Sequence, residues 1–232
     1  MHITYAITMG IHKQQCEDTA RIGDMVINND HGEADVPAPA IIALCDGVGG
    51  NAGGREASAF VCTNLSKDVT ALNQQLIGYG KQLGKPAMAT TLTALFFDAD
   101  GVTLAYAGNT RLYTIRGGFI NQVTTDQTTY EWLKSIGNMD GAEACNKSEI
   151  RCAMGGGNPD YLKALVMEPV FERKLPRMLM MTTDGIHDYV NQDEMEDILS
   201  SDTSAAEKCR RLVDRAVEHG SEDDCSVILI EI

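Results

Sequence analysis

The chain lacks a long hydrophobic run. Its longest apolar segments fall far short of the roughly 20 residues needed to span a bilayer, and no positively charged leader with a cleavage site begins the sequence. We therefore expect neither a membrane partner nor export. Zinc-type spacing is also missing, because the five histidines form no metal-binding pair and the seven cysteines contain no C-x-x-C motif. The cysteines instead fit a reducing compartment, which predicts a cytoplasmic location.

Positive charge is scarce as well. The chain has 33 acidic residues against 19 lysines and arginines, and its formal net charge is -14. We expect no nucleic-acid partner, because a phosphate backbone would be repelled and no basic patch is evident. The Gly-Lys-Ser/Thr of a Walker phosphate loop is missing, and no serine or cysteine stands beside a histidine in a nucleophile motif. These absences exclude a Walker-type phosphate site and disfavour covalent catalysis by a side chain.

The length and the hydrophobic content predict a single domain. At 232 residues, of which 44% are hydrophobic, the chain can bury a substantial core. No linker-like stretch, internal repeat or low-complexity tract divides the sequence. We therefore expect residues 1–232 to form one domain.

What the chain does have is acidic side chains beside strand-like apolar runs. Four such clusters occur: Glu17 with Asp18, Asp46, Asp184 with Asp188, and Asp223 with Asp224. The clearest is Asp46, which follows the apolar run 39–45 and precedes a glycine-rich stretch. Strand ends place side chains more reproducibly than free loops. Carboxylates brought together in this way need a cation, and a hard ion such as magnesium or manganese prefers oxygen ligands.

An ordered series of short motifs resembles the PP2C-type metal-dependent serine/threonine phosphatases. The motifs run through nearly the whole chain, at residues 13–18, 46–50, 89–91, 107–111, 183–185 and 223–226. Each motif is weak by itself, but the series in this order is hard to obtain by chance. The resemblance implies an α+β fold, a four-layer α-β-β-α sandwich in which helices flank two antiparallel sheets. It also implies a flap-like segment at about residues 128–160, beside the metals.

The resemblance implies a binuclear manganese or magnesium centre. Asp46 would bridge two ions, with Asp184 and Asp223 completing one site. Glu17 and the carbonyl of Gly47 would serve the other site. Two such ions typically lie roughly 3.5–4 Å apart and lower the pKa of a bridging water that attacks the phosphoryl group. The implied function is hydrolysis of phosphoserine and phosphothreonine in proteins, with a cognate Ser/Thr kinase system as partner.

The chain departs from the family pattern at three positions. Lys13 replaces an arginine that grips the substrate phosphate, and we interpret it either as a phosphate ligand or as an ordinary solvated lysine. Asn109 replaces an aspartate associated with a third metal ion, so a third ion is uncertain. Asp188 is either a further ligand of that ion or, slightly favoured, a surface acid. Asp224 replaces an asparagine and is either near a cation or a solvated neighbour.

Two other functions compete with this hypothesis. A catalytically weak relative that binds phosphoproteins as a regulatory module is favoured by Lys13 and Asn109, and disfavoured by the retained carboxylates. Residues 47–52 also match the dinucleotide fingerprint G-x-G-x-x-G/A. The acid expected about 20 residues later would fall near Leu72, inside a predicted helix, which argues against a dinucleotide site.

Hydrophobic periodicity predicts strands interleaved with a few helices. The predicted strands are residues 3–9, 20–28, 39–45, 90–97, 102–107, 111–116 and 119–123, with further strands at 178–183 and 225–230. Gly117 and Gly118 predict a hairpin turn. One long helix is predicted from residue 55 to about residue 81. Residues 128–160 are expected to be the least regular part, with Trp132 packed under the flap.

Two more helices are predicted near the C-terminus from their capping residues. Asn191 and Glu194 resemble a capping box for a short helix, and Ser204 with Glu207 starts another. Arg111 is interpreted either as an aid to phosphate binding or as a structural residue at a strand start.

Overall fold

The computed structural model describes residues 1–48, 52–171 and 174–232. The strands are β1 (His2–Thr8), β2 (Thr19–Ile22), β3 (Met25–Ile27), β4 (His31–Asp35), β5 (Ala40–Cys45), β6 (Ala89–Thr90), β7 (Leu92–Asp98), β8 (Gly101–Ala107), β9 (Arg111–Arg116), β10 (Phe119–Gln122), β11 (Met154–Gly155), β12 (Val166–Val170), β13 (Met178–Thr182) and β14 (Cys225–Glu231). The helices are α1 (Gly54–Asn64), α2 (Val69–Gln82), α3 (Thr129–Ser135), α4 (Met139–Ala144), α5 (Asp184–His187), α6 (Gln192–Ser200) and α7 (Ala205–Glu218).

Two six-stranded antiparallel sheets form the centre of the molecule. The first sheet has the order β10-β9-β13-β14-β1-β4, and the second has the order β12-β8-β7-β5-β2-β3. A short ribbon of β11 and β6 lies beside them. Strand order within each sheet does not follow the sequence, so segments that are far apart along the chain become neighbours.

Three buried apolar clusters show how the layers stack. One cluster joins the facing surfaces of the two sheets and includes Ile42 and Leu44 of β5. A second packs the outer face of the second sheet against α1 and α2, and it includes Ala43 and Cys45 of the same strand. The third packs the first sheet against α5, α6 and α7. Alternate residues of β5 thus face opposite layers, as strand geometry requires, and the predicted four-layer α-β-β-α sandwich is confirmed.

The prediction of one long helix over residues 55–81 is wrong. Two helices, α1 and α2, cover this region, and the chain is extended at Leu65, which has φ -60° and ψ 129°. The second helix starts anew because the Asp68 side chain accepts a hydrogen bond from the Ala71 backbone N–H. The apolar stripe continues through the break, since Leu65 and Val69 are both buried in one cluster. Because the apolar periodicity is continuous, it did not indicate the new helix start that Asp68 caps.

The predicted strands are correct in place, but two were drawn too long and, besides the two-residue β11, two longer strands were missed. Residues 20–28 form β2 and β3 with a turn between them, and the predicted strand at residues 90–97 is interrupted between β6 and β7. The missed strands are β4 and β12, whose sequences carry little apolar alternation. They lie at the outer edges of their sheets, where one side is unpaired. Residues 128–160 also contain two short helices, α3 and α4, in the part expected to be least regular.

Local turn and capping signals were confirmed. Gly117 and Gly118 adopt φ values of 60° and 90° between β9 and β10, which only glycine adopts readily. Asn191 and Glu194 form the full capping box of α6. Ser204 caps α7 by accepting from the Glu207 backbone N–H.

The fold contradicts the dinucleotide hypothesis. Such a site needs a strand, a turn and a helix within a parallel β-α-β unit. The strand before the glycine-rich stretch, β5, instead pairs antiparallel with both of its neighbours, β2 and β7. Gly49, Gly50 and Asn51 of the fingerprint lie outside the described residues.

Candidate active site

The antiparallel pairing brings the acidic clusters to one end of the sandwich. In the second sheet, Cys45 at the end of β5 pairs with Thr19 at the start of β2. In the first sheet, Thr182 at the end of β13 pairs with Val227 near the start of β14. The acids that follow β5 and β13 therefore lie beside the acids that precede β2 and β14.

Asp18 connects the two sheets at this end. Its buried carboxylate Oδ2 accepts hydrogen bonds from the Thr183 hydroxyl at 2.9 Å and from the Ser226 hydroxyl at 2.6 Å. Asp18 precedes β2 in the second sheet, whereas Thr183 and Ser226 belong to the β13 and β14 side of the first sheet. Sequence reasoning noted Asp18 only as a neighbour of Glu17. Its role depends on contacts more than 160 residues apart, as for Thr183 at a separation of 165.

The main chain around Asp46 is held by short, specific contacts. The Asp46 N–H donates to Thr91 Oγ1 at 2.9 Å, and the Gly47 N–H donates to the carbonyl of Glu17 at 3.2 Å. A Cβ atom added at Gly54 would lie 2.7 Å from Glu17 Oε1 and 3.0 Å from the Gly47 carbonyl carbon. The carboxylate of Glu17 and the carbonyl group of Gly47 thus both lie against Gly54, as one metal site would require.

The Gly54→Ala change should therefore disturb this part of the site. We expect Mn²⁺ affinity to fall by about tenfold, the size of effect seen when groups that orient metal ligands are altered. The added methyl group must displace Glu17 Oε1 or the Gly47 backbone. Isothermal titration calorimetry measures the affinity, and Gly78→Ala in α2 is the control because a Cβ there has nothing within 4 Å. An unchanged affinity in Gly54→Ala would contradict this account.

Asp184 lies beside Asn109 at the start of α5. The Asn109 amide Nδ2 donates to Asp184 Oδ2 at 3.0 Å. Asn109 is buried, and its Oδ1 has no hydrogen-bond partner among the described residues. The Oδ1 atom of Asp18 is likewise buried and unpartnered within this part of the chain. Buried oxygens without donors are normally satisfied by water or an ion.

Lys13 lies inside the acidic cluster. Its ammonium group forms an ion pair with Asp223, contacts Asp224 Oδ2 at 3.0 Å and lies 3.7 Å from Glu17 Oε2. Only 25% of its side chain is exposed. Burial opposes the charged form, but the bonds to Asp223 and Asp224 outweigh it and raise the Lys13 pKa. The interpretation as an ordinary solvated lysine is therefore wrong, and phosphate binding by Lys13 stays a prediction.

The two adjacent acids Asp223 and Asp224 have different surroundings. Asp224 is buried and accepts from the backbone N–H groups of Gly10 at 2.8 Å and Glu17 at 2.7 Å. Its interpretation as a solvated neighbour is wrong, since it anchors the loop between β1 and β2. The Asp223 side chain is 47% exposed and borders Lys13.

Burial, together with the proximity of these acids, raises several pKa values. Burial raises the pKa of Asp46 well above its ordinary value, and the charges of Asp18 and Asp184 add to the shift. Burial, followed by the charge of Asp223, raises the pKa of Asp184. Burial also raises the pKa of Glu17, against the influence of Lys13. The ionised forms of these carboxyl groups are therefore disfavoured in the metal-free protein, and a bound cation would stabilise them.

These shifts predict that the chelated protein becomes more stable as the pH falls. A carboxyl group with a raised folded pKa binds a proton that the unfolded chain has already released. Its stabilising contribution is full below the unfolded pKa, near 4, and is lost as the pH rises through the higher folded value. With a chelator present, the melting temperature should therefore increase as the pH is lowered from about 7.5 to about 5.5. Excess Mn²⁺ should reverse this trend because protons then compete with the ion. A melting temperature that decreases as the pH is lowered, with the chelator present, would refute the prediction.

The donor set fits hard divalent cations, although the side chains do not yet form a coordination shell. Within residues 1–48, 52–171 and 174–232, no three acidic, histidine or cysteine side chains are arranged so that they could hold a metal ion as they stand. The oxygens available are carboxylates, the Gly47 carbonyl and the unpartnered amide oxygen of Asn109. Oxygen donors of this kind suit magnesium and manganese and do not suit zinc. The ammonium of Lys13 borders two of the proposed ligands, Glu17 and Asp223.

Three further predicted residues have defined places. Asp188 follows α5 and is solvent-accessible, but the protein around its carboxyl group partly desolvates it and, with the charge of Asp184, raises its pKa to about 6. Arg111 is structural, because its guanidinium makes paired contacts of 2.6 to 3.0 Å with Asp126. Trp132 is not packed under the flap: it is 43% exposed, and the Arg151 guanidinium lies 4.0 Å from its ring centre.

A groove of about 650 Å³ lies away from these residues. It is lined by the far ends of β5 and β7, including Ile41 and Phe97, and by residues of β2. None of the predicted metal ligands lines it. The groove is therefore not evidence for or against a function of the acidic cluster.

Comparison with known proteins identifies similar phosphatases. No family model matches the chain. The serine/threonine phosphatase stp of Listeria welshimeri is 28% identical over 215 residues, which cover 82% of this chain and 84% of the relative. The chain is thus similar in sequence to serine/threonine phosphatases, one of which, from Streptococcus pyogenes, is named a putative protein phosphatase 2C-type. The protein phosphatase PhpP of Streptococcus pneumoniae is a second such relative, 25% identical over 83% of this chain and 85% of its own length.

Solved structures confirm the PP2C-type fold. The serine/threonine phosphatase Stp1 from Staphylococcus aureus superposes with a TM-score of 0.77 at 23% identity, covering 99% of this chain and 94% of that one. The Mycobacterium tuberculosis phosphatase PstP/Ppp gives a TM-score of 0.75 at 23% identity, with 100% and 99% coverage. The predicted resemblance to PP2C-type phosphatases is therefore confirmed in sequence and in fold.

Proposed function

We propose that this PP2C homologue is a metal-dependent phosphatase that hydrolyses phosphoserine and phosphothreonine in proteins. The main support from the structure is the approach of acids from both sheets at one end of the sandwich. The charge of Asp184 from the first sheet raises the pKa of Asp46 in the second, and a side-chain hydrogen bond with Asp46 lowers the pKa of Asp184. The relatives named as serine/threonine phosphatases support the same reaction and substrate class.

The proposed centre holds two manganese or magnesium ions. Asp46 would contact both ions, with Asp184 and Asp223 on one and Glu17 and the Gly47 carbonyl on the other. When bound, such ions supply Lewis-acid polarisation of the phosphoryl group and lower the pKa of a water. A third ion near Asn109 and Asp188 stays a prediction, and the neutral amide makes its binding weaker than a carboxylate would.

The chain's own residues hold these ligands in position. Asn109 orients Asp184 by donating to its carboxylate, and Thr91 fixes the backbone of Asp46. Asp18 ties the two sheets together directly behind the ligands. Arg111 is committed to Asp126 and contributes no phosphate contact. Rigid support of this kind keeps the ligand oxygens in place for in-line attack on the phosphorus.

Hydrolysis of a phosphothreonine peptide and of p-nitrophenyl phosphate tests the proposal. We expect phosphate release that requires Mn²⁺ or Mg²⁺ and stops when a chelator is added. Full turnover in the chelator, or no turnover with either ion, would exclude the proposed reaction. A phosphotyrosine peptide of the same sequence is the matched control for substrate class, and we expect it to react more slowly.

A phosphoprotein-binding regulatory module is the second candidate. It is favoured by the ion pairs of Lys13 within the acidic cluster and by the neutral Asn109. This candidate predicts Mn²⁺ binding without turnover in the assay above.

No helix in the described ranges is long and apolar enough to cross a lipid bilayer. The cytoplasmic location, the kinase partner and the absence of a nucleic-acid partner stay predictions.

A further inference from the structure

Lys13 makes contacts that a phosphate-binding side chain would not need. Its ammonium is directed into the acidic cluster, where it pairs with Asp223 and lies 3.7 Å from Glu17 Oε2. These two carboxylates come from loops 206 residues apart, since Glu17 precedes β2 and Asp223 precedes β14. One cationic side chain therefore joins the acids of the two sheets.

The position of Lys13 is built into the fold. The buried carboxylate of Asp224 accepts from Lys13 Nζ at 3.0 Å and also from the backbone N–H of Glu17 at 2.7 Å. The same carboxylate therefore fixes the ammonium and the segment that carries one of the proposed metal ligands. Lysine is suited to such a place because its ammonium is a compact charge on a flexible stem.

The oxygens that Lys13 contacts are needed by the proposed centre. Glu17 belongs to one proposed ion site and Asp223 to the other, and each is shared with the ammonium. A divalent ion at either carboxylate would repel an ammonium only a few ångströms away. Metal binding at these carboxylates would therefore be opposed by the Lys13 ammonium as it is placed here.

We propose that Lys13 is an internal counter-cation that competes with divalent metal for Glu17 and Asp223 and leaves them when metal binds. This inference rests on the proposed metal centre. The ammonium offsets the repulsion between the acids in the metal-free protein and thereby weakens metal binding. The affinity for metal is then set partly by the chain itself, through the free energy of displacing Lys13.

Chemical labelling of the wild-type protein tests whether Lys13 leaves. The rate of acylation of Lys13 by an N-hydroxysuccinimide ester is measured by peptide mass spectrometry, with chelator and with saturating Mn²⁺. We expect Mn²⁺ to increase the rate at Lys13 several-fold, because the ammonium loses its partners there. Lys67 is the internal control, since it pairs with Asp98 at the far end of β7. If calorimetry shows that the wild type binds Mn²⁺, an unchanged or reduced rate at Lys13 overturns the proposal.

Metal affinity provides a second, independent measurement. By calorimetry, we expect Lys13→Met to bind Mn²⁺ about tenfold more tightly than the wild type, equivalent to about 1.4 kcal/mol. Lys13→Arg keeps the charge and should stay within about threefold of the wild type, while Lys67→Met removes an equal charge roughly 20 Å away and should change little. Equal affinities in Lys13→Met and the wild type overturn the proposal.

The outcomes separate this inference from the proposed function. The wild type could bind Mn²⁺ and hydrolyse phosphopeptide while the labelling rate of Lys13 and the affinity of Lys13→Met stay unchanged. In that case only the competition is wrong. If neither the wild type nor Lys13→Met binds Mn²⁺ in calorimetry, both proposals fail. If only Lys13→Met binds, the competition is supported and the proposed metal-dependent reaction of the wild type is excluded.

Discussion

Asp46→Asn should lower kcat/KM for a phosphothreonine peptide by at least about 10³-fold, about 4 kcal/mol of transition-state stabilisation. Asp46 is the one side chain proposed to contact both ions, so its loss affects both sites at once. An amide ligand is neutral and binds a hard cation less well than a carboxylate. Initial rates at saturating Mn²⁺ measure the effect.

The same change should stabilise the metal-free protein. Burial and the charges of Asp18 and Asp184 raise the pKa of Asp46, so its ionised form is unfavourable in the fold. Replacing it by a neutral amide should add about 1–2 kcal/mol to the free energy of unfolding in chelator. Opposite changes in activity and stability would show that lost activity is not a folding defect.

A matched control for Asp46→Asn is Asp98→Asn. Asp98 also lies at the end of a strand, β7, but it pairs with Lys67 away from the acidic cluster. We expect its kcat/KM to remain within about twofold of the wild type, because exposed charges at this distance are screened. Substantial activity in Asp46→Asn, or equal losses in the two variants, would contradict the assigned role of Asp46.

Asp223→Ala and Asp224→Ala should differ greatly in their effect on stability although the residues are adjacent. Asp224→Ala should lower the free energy of unfolding by about 3–5 kcal/mol, as breaking a buried ion pair does. It would leave Lys13 and the N–H groups of Gly10 and Glu17 without their acceptor. Asp223→Ala should cost under about 1 kcal/mol, because its side chain is 47% exposed.

The effect on metal binding also distinguishes Asp223 from Asp224. We expect Asp223→Ala to weaken Mn²⁺ binding by at least about tenfold, since it removes a proposed ligand. Urea unfolding in chelator measures stability, and calorimetry measures affinity. Asp224→Asn keeps the side-chain shape and part of its hydrogen bonding. The loss of stability in Asp224→Asn should therefore be smaller than in Asp224→Ala. A large loss of stability in Asp223→Ala with none in Asp224→Ala would refute the distinction.

Much of the fold could be predicted because its signals are local. Alternating apolar residues marked the central strands, and Asn191 and Ser204 marked the starts of α6 and α7. The edge strands β4 and β12 were missed because they have little apolar alternation and pair on one side only. The split between α1 and α2 was missed because the apolar stripe runs on past the cap at Asp68.

Local patterns along the chain were enough to show which carboxylates end or precede the central strands, and that their motifs resemble one phosphatase family. The tertiary structure decided what each acid does: Asp224 is buried against Gly10, 214 residues away, while its neighbour Asp223 remains half exposed. It also decided that Lys13 turns inward to these acids. The physical reason is that strand patterns and caps depend on neighbours along the chain, whereas burial and ion pairing depend on segments that meet only when the two sheets pack.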